Sequence, residues 1–485
     1  MESFMSSPNL YRAGTLTYTR AQLAILFFWL LWGDFCYMLM ETVVPTIMPL
    51  KFKELGASNT SIGLIMITIP MILNSFINPI VSFKSDRYRS RWGRRIPFII
   101  FTLPFLVMFL VGIGFGDKIG IAIYPYVQKI TTRFTPNQVA IGVIGLMMTF
   151  FSVFNSFVNA VFWYLFNDVI PEQLLARFMS WFRVVSMLSA SVYGFFIMPF
   201  AETHMLHIFI GAAILYTFGF GLMCFCVREG QYPPPPTYVD GESGPLAAFK
   251  TYGKECFSIV HYWYLFAVGI CNGSLAAMGV FSIYFSQSIG LDITQIGRLS
   301  GIFAIVGGVF ILLSGWMADR YHPIRITLIG FVLSTLTLPI SLIWLIWHPS
   351  SQTVFYFSVI INLILAPVGA FVGVLDPPLF MRIFPRERYG QYCSANALCR
   401  SLAMIFMGTL AGVYLDVLTG YFGRDVAYRL IPVWNLFFTG LAAFFLFKLY
   451  RSWKKYGGDE TYAPPSLESE GEVAPEKPLA PSTTT

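Results

Sequence analysis

Charge is what this sequence has least of. Only 12 % of its 485 residues are Asp, Glu, Lys or Arg, against roughly 25 % in soluble domains. With so apolar a composition, an ordinary aqueous enzyme and a disordered chain are both excluded. Cysteine is sparse and odd in number, seven in all, which excludes a disulfide scaffold. No Walker-type phosphate loop, HExxH, GxSxG or paired CxxC occurs, so the usual signatures of an ATPase, a zinc protease and a serine hydrolase are missing. The five histidines fall near the ends of apolar runs, and Cys224 and Cys226 read as packing residues. No enzyme activity, cofactor or metal is expected. The apolar stretches also lack the period-two alternation of outer-membrane barrel strands.

What remains is apolar length. Hydrophobic types make up 56 % of the chain and aromatics 17 %, and the mean hydropathy is +0.65. Twelve runs long enough for a helix to cross a bilayer begin near Gln22, Ser61, Ile96, Gln138, Phe178, Met205, Tyr262, Gln295, Ile324, Thr353, Gln391 and Tyr428. The first run passes Asp34 and Glu41 without a small-residue cleavage site, so it reads as a retained helix. With both termini placed in the cytoplasm, 23 Lys and Arg fall on that side and eight on the other, Arg400 alone lying inside the eleventh run. That bias follows the positive-inside rule. It assigns the net charge of +7 to topology rather than to nucleic acid.

The midpoint breaks the pattern. Residues 228–261 carry Pro233–Pro236 and a Gly- and acid-containing stretch from Asp240 to Pro245, a linker followed by a short amphipathic piece at Phe249–Val260 suited to a membrane surface. Six runs precede it and six follow. Ser85-Asp86-Arg87-Tyr88 after the second run matches Ala318-Asp319-Arg320-Tyr321 after the eighth, and Ile170-Pro171-Glu172 matches Phe384-Pro385-Arg386. The expected fold is therefore all-α: twelve transmembrane helices in two pseudo-symmetric six-helix bundles, the plan of a rocking transporter. The expected divisions are a tail at 1–20, bundles at 21–227 and 262–450, the linker at 228–261, and a disordered cytoplasmic tail at 451–485. The segment Asp117–Asn137 reads as an outside loop.

Between the second and third runs lies Asn78-Pro79, then Asp86-Arg87 and Ser90-Arg91-Trp92-Gly93-Arg94-Arg95-Ile96-Pro97-Phe98. This stretch of about 20 residues resembles the signature of the major facilitator superfamily in the form used by glycoside–pentoside–hexuronide cation symporters. The Ser-Arg-Trp-Gly-Arg-Arg-x-Pro-Phe version is most similar to plant sucrose transporters and their animal relatives. The resemblance implies twelve helices, a central sugar site and proton coupling. Two positions depart from the group. Asn74 and Asn78 stand where melibiose-type carriers have two Asp sodium ligands, which favours H⁺ over Na⁺. The fourth run has Asn155, Asn159 and the terminal Asp168, but no Asp in its body.

The polar residues inside the runs are the candidate site. A charge at mid-helix costs about 2.5–3.5 kcal/mol unless paired or hydrated. Asp34 and Glu41 are seven apart on one helix face and are candidates for carrying the coupling proton. Arg183 and Arg400, with Asn74, Asn78, Asn155, Asn159, Asn396 and Trp163, are candidates for contacting cargo, since amides and guanidinium groups bond hydroxyls and aromatic planes stack on sugars. Asn also serves as glue between helices, Arg183 can snorkel to the interface, and Asp34 can pair with one of the two Arg. Asp86, Arg87, Arg91, Arg94 and Arg95, echoed by Asp319 and Arg320, are candidate gates whose ion pairs close the cytoplasmic face. The expected function is a monomeric secondary active carrier in the cell membrane, moving a sugar-like small molecule with H⁺. A lipid or lysolipid carrier and a non-transporting sensor of the same fold are the alternatives. The former requires a lateral opening and an apolar cavity wall.

Overall fold

The computed structural model describes residues 11–232, 253–254, 256–373, 376–385 and 388–465, with the side chains of Asp86 and Asp319 outside that description. Eleven helices among the described residues are long and apolar enough to cross a membrane. They become twelve when Val260–Gly279 and Ser282–Ser288, bent by 53°, count as one span. In chain order the spans are α1 (Arg20–Glu54), α2 (59–87), α3 (Ile96–Gly114), α4 (Pro136–Val169), α5 (Glu172–Phe200), α6 (Met205–Cys226), α7 (Val260–Gly279), α8 (Ile293–Arg320), α9 (Pro323–Leu345), α10 (Ser351–Gly373), α11 (Tyr389–Phe422) and α12 (Ile431–Lys455).

Local chemistry sets the boundaries. Gln22, Gln138 and Gln295, where three apolar runs begin, are the third residues of capping boxes closed by Thr19, Thr135 and Asp292, so these helices start two residues earlier with their first N–H groups satisfied. α5 starts at Glu172 rather than near Phe178 because its first turns are polar and carry no hydropathy signal. The segment read as an outside loop contains a helix, Gly116–Ile130, lying on α4 where a Cβ at Gly120 would collide with Ala140. The polar N-terminal tail holds a small antiparallel hairpin, Tyr11–Ala13 with Leu16–Tyr18. Its Thr15 hydroxyl accepts from the Gln231 N–H at 2.8 Å. At the other end α12 runs on to Lys455, past residue 450, and a further turn forms at Gly458–Thr461. Pro233–Pro236 and residues 249–252 and 255 of the Phe249–Val260 piece lie outside the described residues.

The two halves repeat one packing scheme. α1 packs on α5 and α6, α2 on α4, and α3 on α4 and α6; α7 packs on α11 and α12, α8 on α10, and α9 on α10 and α12. Each pair in the first half has its counterpart six spans later. The halves meet at α2 against α11 and at α5 against α8, and the same repeat relates these two crossings. Both crossings contain a π-helical turn, Leu64–Thr68 in α2 and Tyr193–Ile197 in α5. Each is followed within two residues by a proline (Pro70, Pro199), whose missing N–H and ring bulk open the ladder one turn back. The backbones nearly touch there: a Cβ on Gly63 would strike the Gly408 carbonyl, and one on Gly194 the Gly297 carbonyl.

Candidate transport site

Residues of α1, α2 and α4, with Val280 just past the end of α7, line a cavity of about 300 Å³ that holds Glu41, Asn74, Ser152, Asn155, Ser156, Asn159 and several Met and Pro. Helical spacing on α4 delivers four of these side chains to one face, since residues 152, 155, 156 and 159 are three or four apart. Asn155 Nδ2 donates to Glu41 Oε1 at 2.6 Å. Ser156 Oγ donates to Asn74 Oδ1 and, at 2.7 Å, to its own helix at Ser152 O. Asn155 Oδ1 is buried with no hydrogen-bond partner among the described residues, and the Tyr37 and Tyr216 hydroxyls are buried beside Glu41. The cavity thus offers one carboxylate, three amides and two hydroxyls, with at least one acceptor awaiting a donor.

Asp34 is elsewhere. It is fully buried against α5, where Ser186 Oγ donates to its Oδ2 at 3.3 Å, while Oδ1 has no partner. It makes no ion pair among the described residues. The shared face of Asp34 and Glu41 does not become a shared cavity, because seven residues of rise carry the two carboxyls about 10 Å apart to different neighbours. Arg183 is exposed on α5 and lines two spaces at once. One, about 350 Å³, is walled by Phe303, Gly307, Asn362 and Gly369. The other, about 250 Å³, is an apolar crevice between α5 and α8 beside Met187, Leu188, Ile305 and Val309.

The other expected residues divide. Asn396 is buried in the α7–α11 packing, its Oδ1 close to where a Cβ of Gly269 would be and without a hydrogen-bond partner among the described residues. Asn78 is exposed, one turn from the Glu41 cavity's Asn74. Trp163 joins an aromatic cluster, 5.0 Å from Phe182. Arg400 is exposed on α11, outside the cavity of Glu41 and that of Arg183.

At the termini face, Arg94 holds Asp168 in a two-pronged pair, Nε to Oδ2 at 2.8 Å and Nη2 to Oδ1 at 2.5 Å, and Arg95 Nε reaches Oδ2 at 3.0 Å. The Glu229 carboxylate accepts from the N–H groups of Arg94, Arg95 and Ile96 at 2.9, 2.8 and 2.6 Å, capping α3 from the end of α6. These bonds lie within the first half. Arg91 sits over Trp92 and Arg320 over Tyr321. Asp86 and Asp319 lie outside the described side chains, and Arg87 has interactions beyond those named.

The following hydrogen bonds join the halves toward the opposite, far face. Asp416 of α11 grips the start of α2. Its Oδ1 accepts from Asn59 N and Nδ2 at 3.0 and 2.9 Å, and its Oδ2 from Thr60 N and Oγ1 at 2.9 and 2.6 Å. Tyr428 OH donates to Asn59 Oδ1, Thr68 Oγ1 to Ile405 O, Lys53 Nζ to Gln287 and Tyr284 OH to Pro49 O. The far face is closed. The sequence reading passed over Asp416, Glu229 and the hydroxyl of Ser156, and named Asp168 only as the end of the fourth run. The one available signal was a carboxylate at 416 inside an apolar run, which is costly without a partner.

A twelve-span bundle of two repeated halves, bonded to each other at one face and holding a polar cavity, is the form of an alternating-access carrier. The chain belongs to the Major Facilitator Superfamily, whose model matches residues 30–408 and 264–480, and is a secondary transporter rather than an enzyme. No curated protein matches it. Among solved structures it is similar to a bacterial homologue of the human lysosomal transporter Spinster, inward-facing and unoccupied, at TM-score 0.66 and 13 % identity over 90 % of this chain and 99 % of that one. It is also similar to the nucleoside transporter NupG, at 0.59 and 13 % over 89 % and 99 %, and to a D-xylose-proton symporter, at 0.53 and 14 % over 88 % and 97 %.

Proposed function

We propose that this carrier moves a sugar or glycoside together with H⁺, with Glu41 as the proton-carrying group. The observation that carries this reading is the cavity in which a carboxylate bonded to an amide stands among further amides and hydroxyls, with Asn155 Oδ1 unpartnered. A sugar hydroxyl can donate to Asn155 Oδ1 and accept from an amide N–H. Proton uptake neutralises Glu41 and weakens its hold on Asn155, so loading of proton and sugar involves the same amide. Asn74 in place of a carboxylate favours H⁺ over Na⁺. The motif at Asp86–Phe98 supports membership of the glycoside–pentoside–hexuronide group, and the Lys and Arg bias supports termini in the cytoplasm of a cell-membrane protein. On that topology the closed far face is the outer one, and the Asp86–Arg95 and Asp319–Arg320 turns gate the inner one.

The test is internal pH in reconstituted vesicles while mono- and disaccharides are added outside. One sugar should acidify the lumen. E41Q should abolish that signal and pH-driven accumulation while sparing sugar exchange, and D34N should leave accumulation in place. Accumulation unchanged in E41Q removes Glu41 from the mechanism.

A second reading, an anionic amphiphile as cargo, is favoured by one feature. The Arg183 side chain lines both a space it shares with Asn362 and an apolar crevice between the halves, and a lateral opening with an apolar wall is what such cargo needs. Silence across the sugar panel, with uptake of a lysophospholipid that R183Q abolishes, would decide for it.

A further inference from the structure

On the termini face, between the α2–α3 turn and the end of α6, lies a second kind of pocket. It encloses about 380 Å³ and is lined by Arg91, Trp92, Ile96, Ile100, Phe225, Arg228 and Glu229, with Cys224 and Val227 behind. It is remote from the transport cavity, with which it shares no lining residue. We propose that this pocket binds an anionic glycerophospholipid, its phosphodiester held by Arg91 and Arg228 and its chains lying along Ile96, Ile100 and Phe225.

The argument is one of leftover charge and leftover surface. The basic turn is rich in cations, but Arg94 and Arg95 are occupied by Asp168. Glu229, the acid in the pocket wall, has both oxygens turned to backbone N–H groups and to the Tyr232 hydroxyl. Arg91 and Arg228 are exposed and make no ion pair among the described residues. A planar guanidinium pair suits phosphate oxygens.

The apolar side selects a lipid over a soluble phosphate. Trp92 is 51 % and Phe225 74 % exposed, the pocket continues onto Ile96 and Ile100 at the start of α3, and α6 ends beside it. That places guanidinium groups at headgroup level with an indole, a residue type enriched at membrane interfaces, and puts aliphatic side chains one turn deeper. Basic pockets between spans are recognised sites for acidic headgroups. A free phosphate has no use for the aliphatic wall.

The experiment is native mass spectrometry of the full-length protein titrated with phosphatidylglycerol and, separately, phosphatidylcholine. The wild type should retain phosphatidylglycerol preferentially. R91Q/R228Q should lose roughly thirtyfold in affinity for it, taking about 1 kcal/mol per interfacial basic residue, with phosphatidylcholine retention unchanged as a check on folding. R91K/R228K should restore most of the loss, and sn-glycerol 1-phosphate should fail to displace the lipid. Should the double variant not fold, R228Q alone reads the same arm. An undiminished preference in these Gln variants overturns the proposal, and displacement by glycerol phosphate at lipid-like concentrations overturns it in favour of a small-anion site.

Discussion

A single side chain can make this protein acid-sensitive. His322 caps α9, its Nδ1 accepting from Ile324 N–H, and its ring lies 4.5 Å from that of Trp453. Burial pushes its pKa down to about 4, helped by Arg382 and Arg325 and opposed by Asp459. The folded protein therefore holds this proton less readily than the unfolded chain. Between the ordinary imidazole value near 6.5 and about 4, stability falls as pH drops, because the unfolded state binds more protons. The thermal midpoint should decline over that window in the wild type, and H322N, which keeps a capping acceptor without titrating, should lessen the decline. Residue identities were legible from sequence at this scale, but partners were not. Asp34 and Glu41 share a helix face as their spacing demands, yet one meets Ser186 and the other Asn155. Which helix passes each carboxyl is a tertiary fact.

At the scale of elements the decisive contact is α2 against α11. Asp416 meets the first N–H groups of α2, which no intrahelical carbonyl can satisfy, at the end where a carboxylate is favoured. A hydrogen bond to a charged group is worth about 1.5–3 kcal/mol, and about 1.4 kcal/mol is tenfold in a population. D416A should therefore move the equilibrium more than tenfold toward an open far face. Spin labels near residues 59 and 416 should report a longer distance, and a cysteine placed on the cavity wall should gain reactivity from that side. An unchanged distance distribution would remove Asp416 from gating. The starts of α1, α4 and α8 were legible to within two residues because apolar runs are local, and the capping boxes at Thr19, Thr135 and Asp292 emerge from the structure. The helix at Gly116–Ile130 was not, being held by its seat on α4 rather than by a long apolar run.

Across the whole molecule, the last described residues tie the second half together. Tyr462 OH donates to Ile383 O at 2.8 Å and lies 3.1 Å from His261 Nε2, Tyr262 OH donates to Pro465 O at 3.0 Å, and Arg325 pairs with Asp459. The tail read as disordered thus begins as a strap across α7, the first turn of α9 and the end of the helix at Asp376–Ile383. Deleting residues 456–485 removes three hydrogen bonds worth about 1 kcal/mol each and the Arg325–Asp459 pair. It should lower the thermal midpoint while leaving the far-face distances between α2 and α11 unchanged; an unaltered midpoint would show the strap to be dispensable. The sequence by itself determined the membrane class, the twelve runs, the two-fold internal repeat and the superfamily motif, because hydropathy, charge bias and short motifs are written over a few neighbouring residues. The tertiary structure alone decided which polar groups converge on a cavity, that Asn396 lies against Gly269, and that Asp416 bonds the start of α2. Those outcomes depend on which helices lie side by side, and residues 59 and 416 have no local physics in common until the halves are packed.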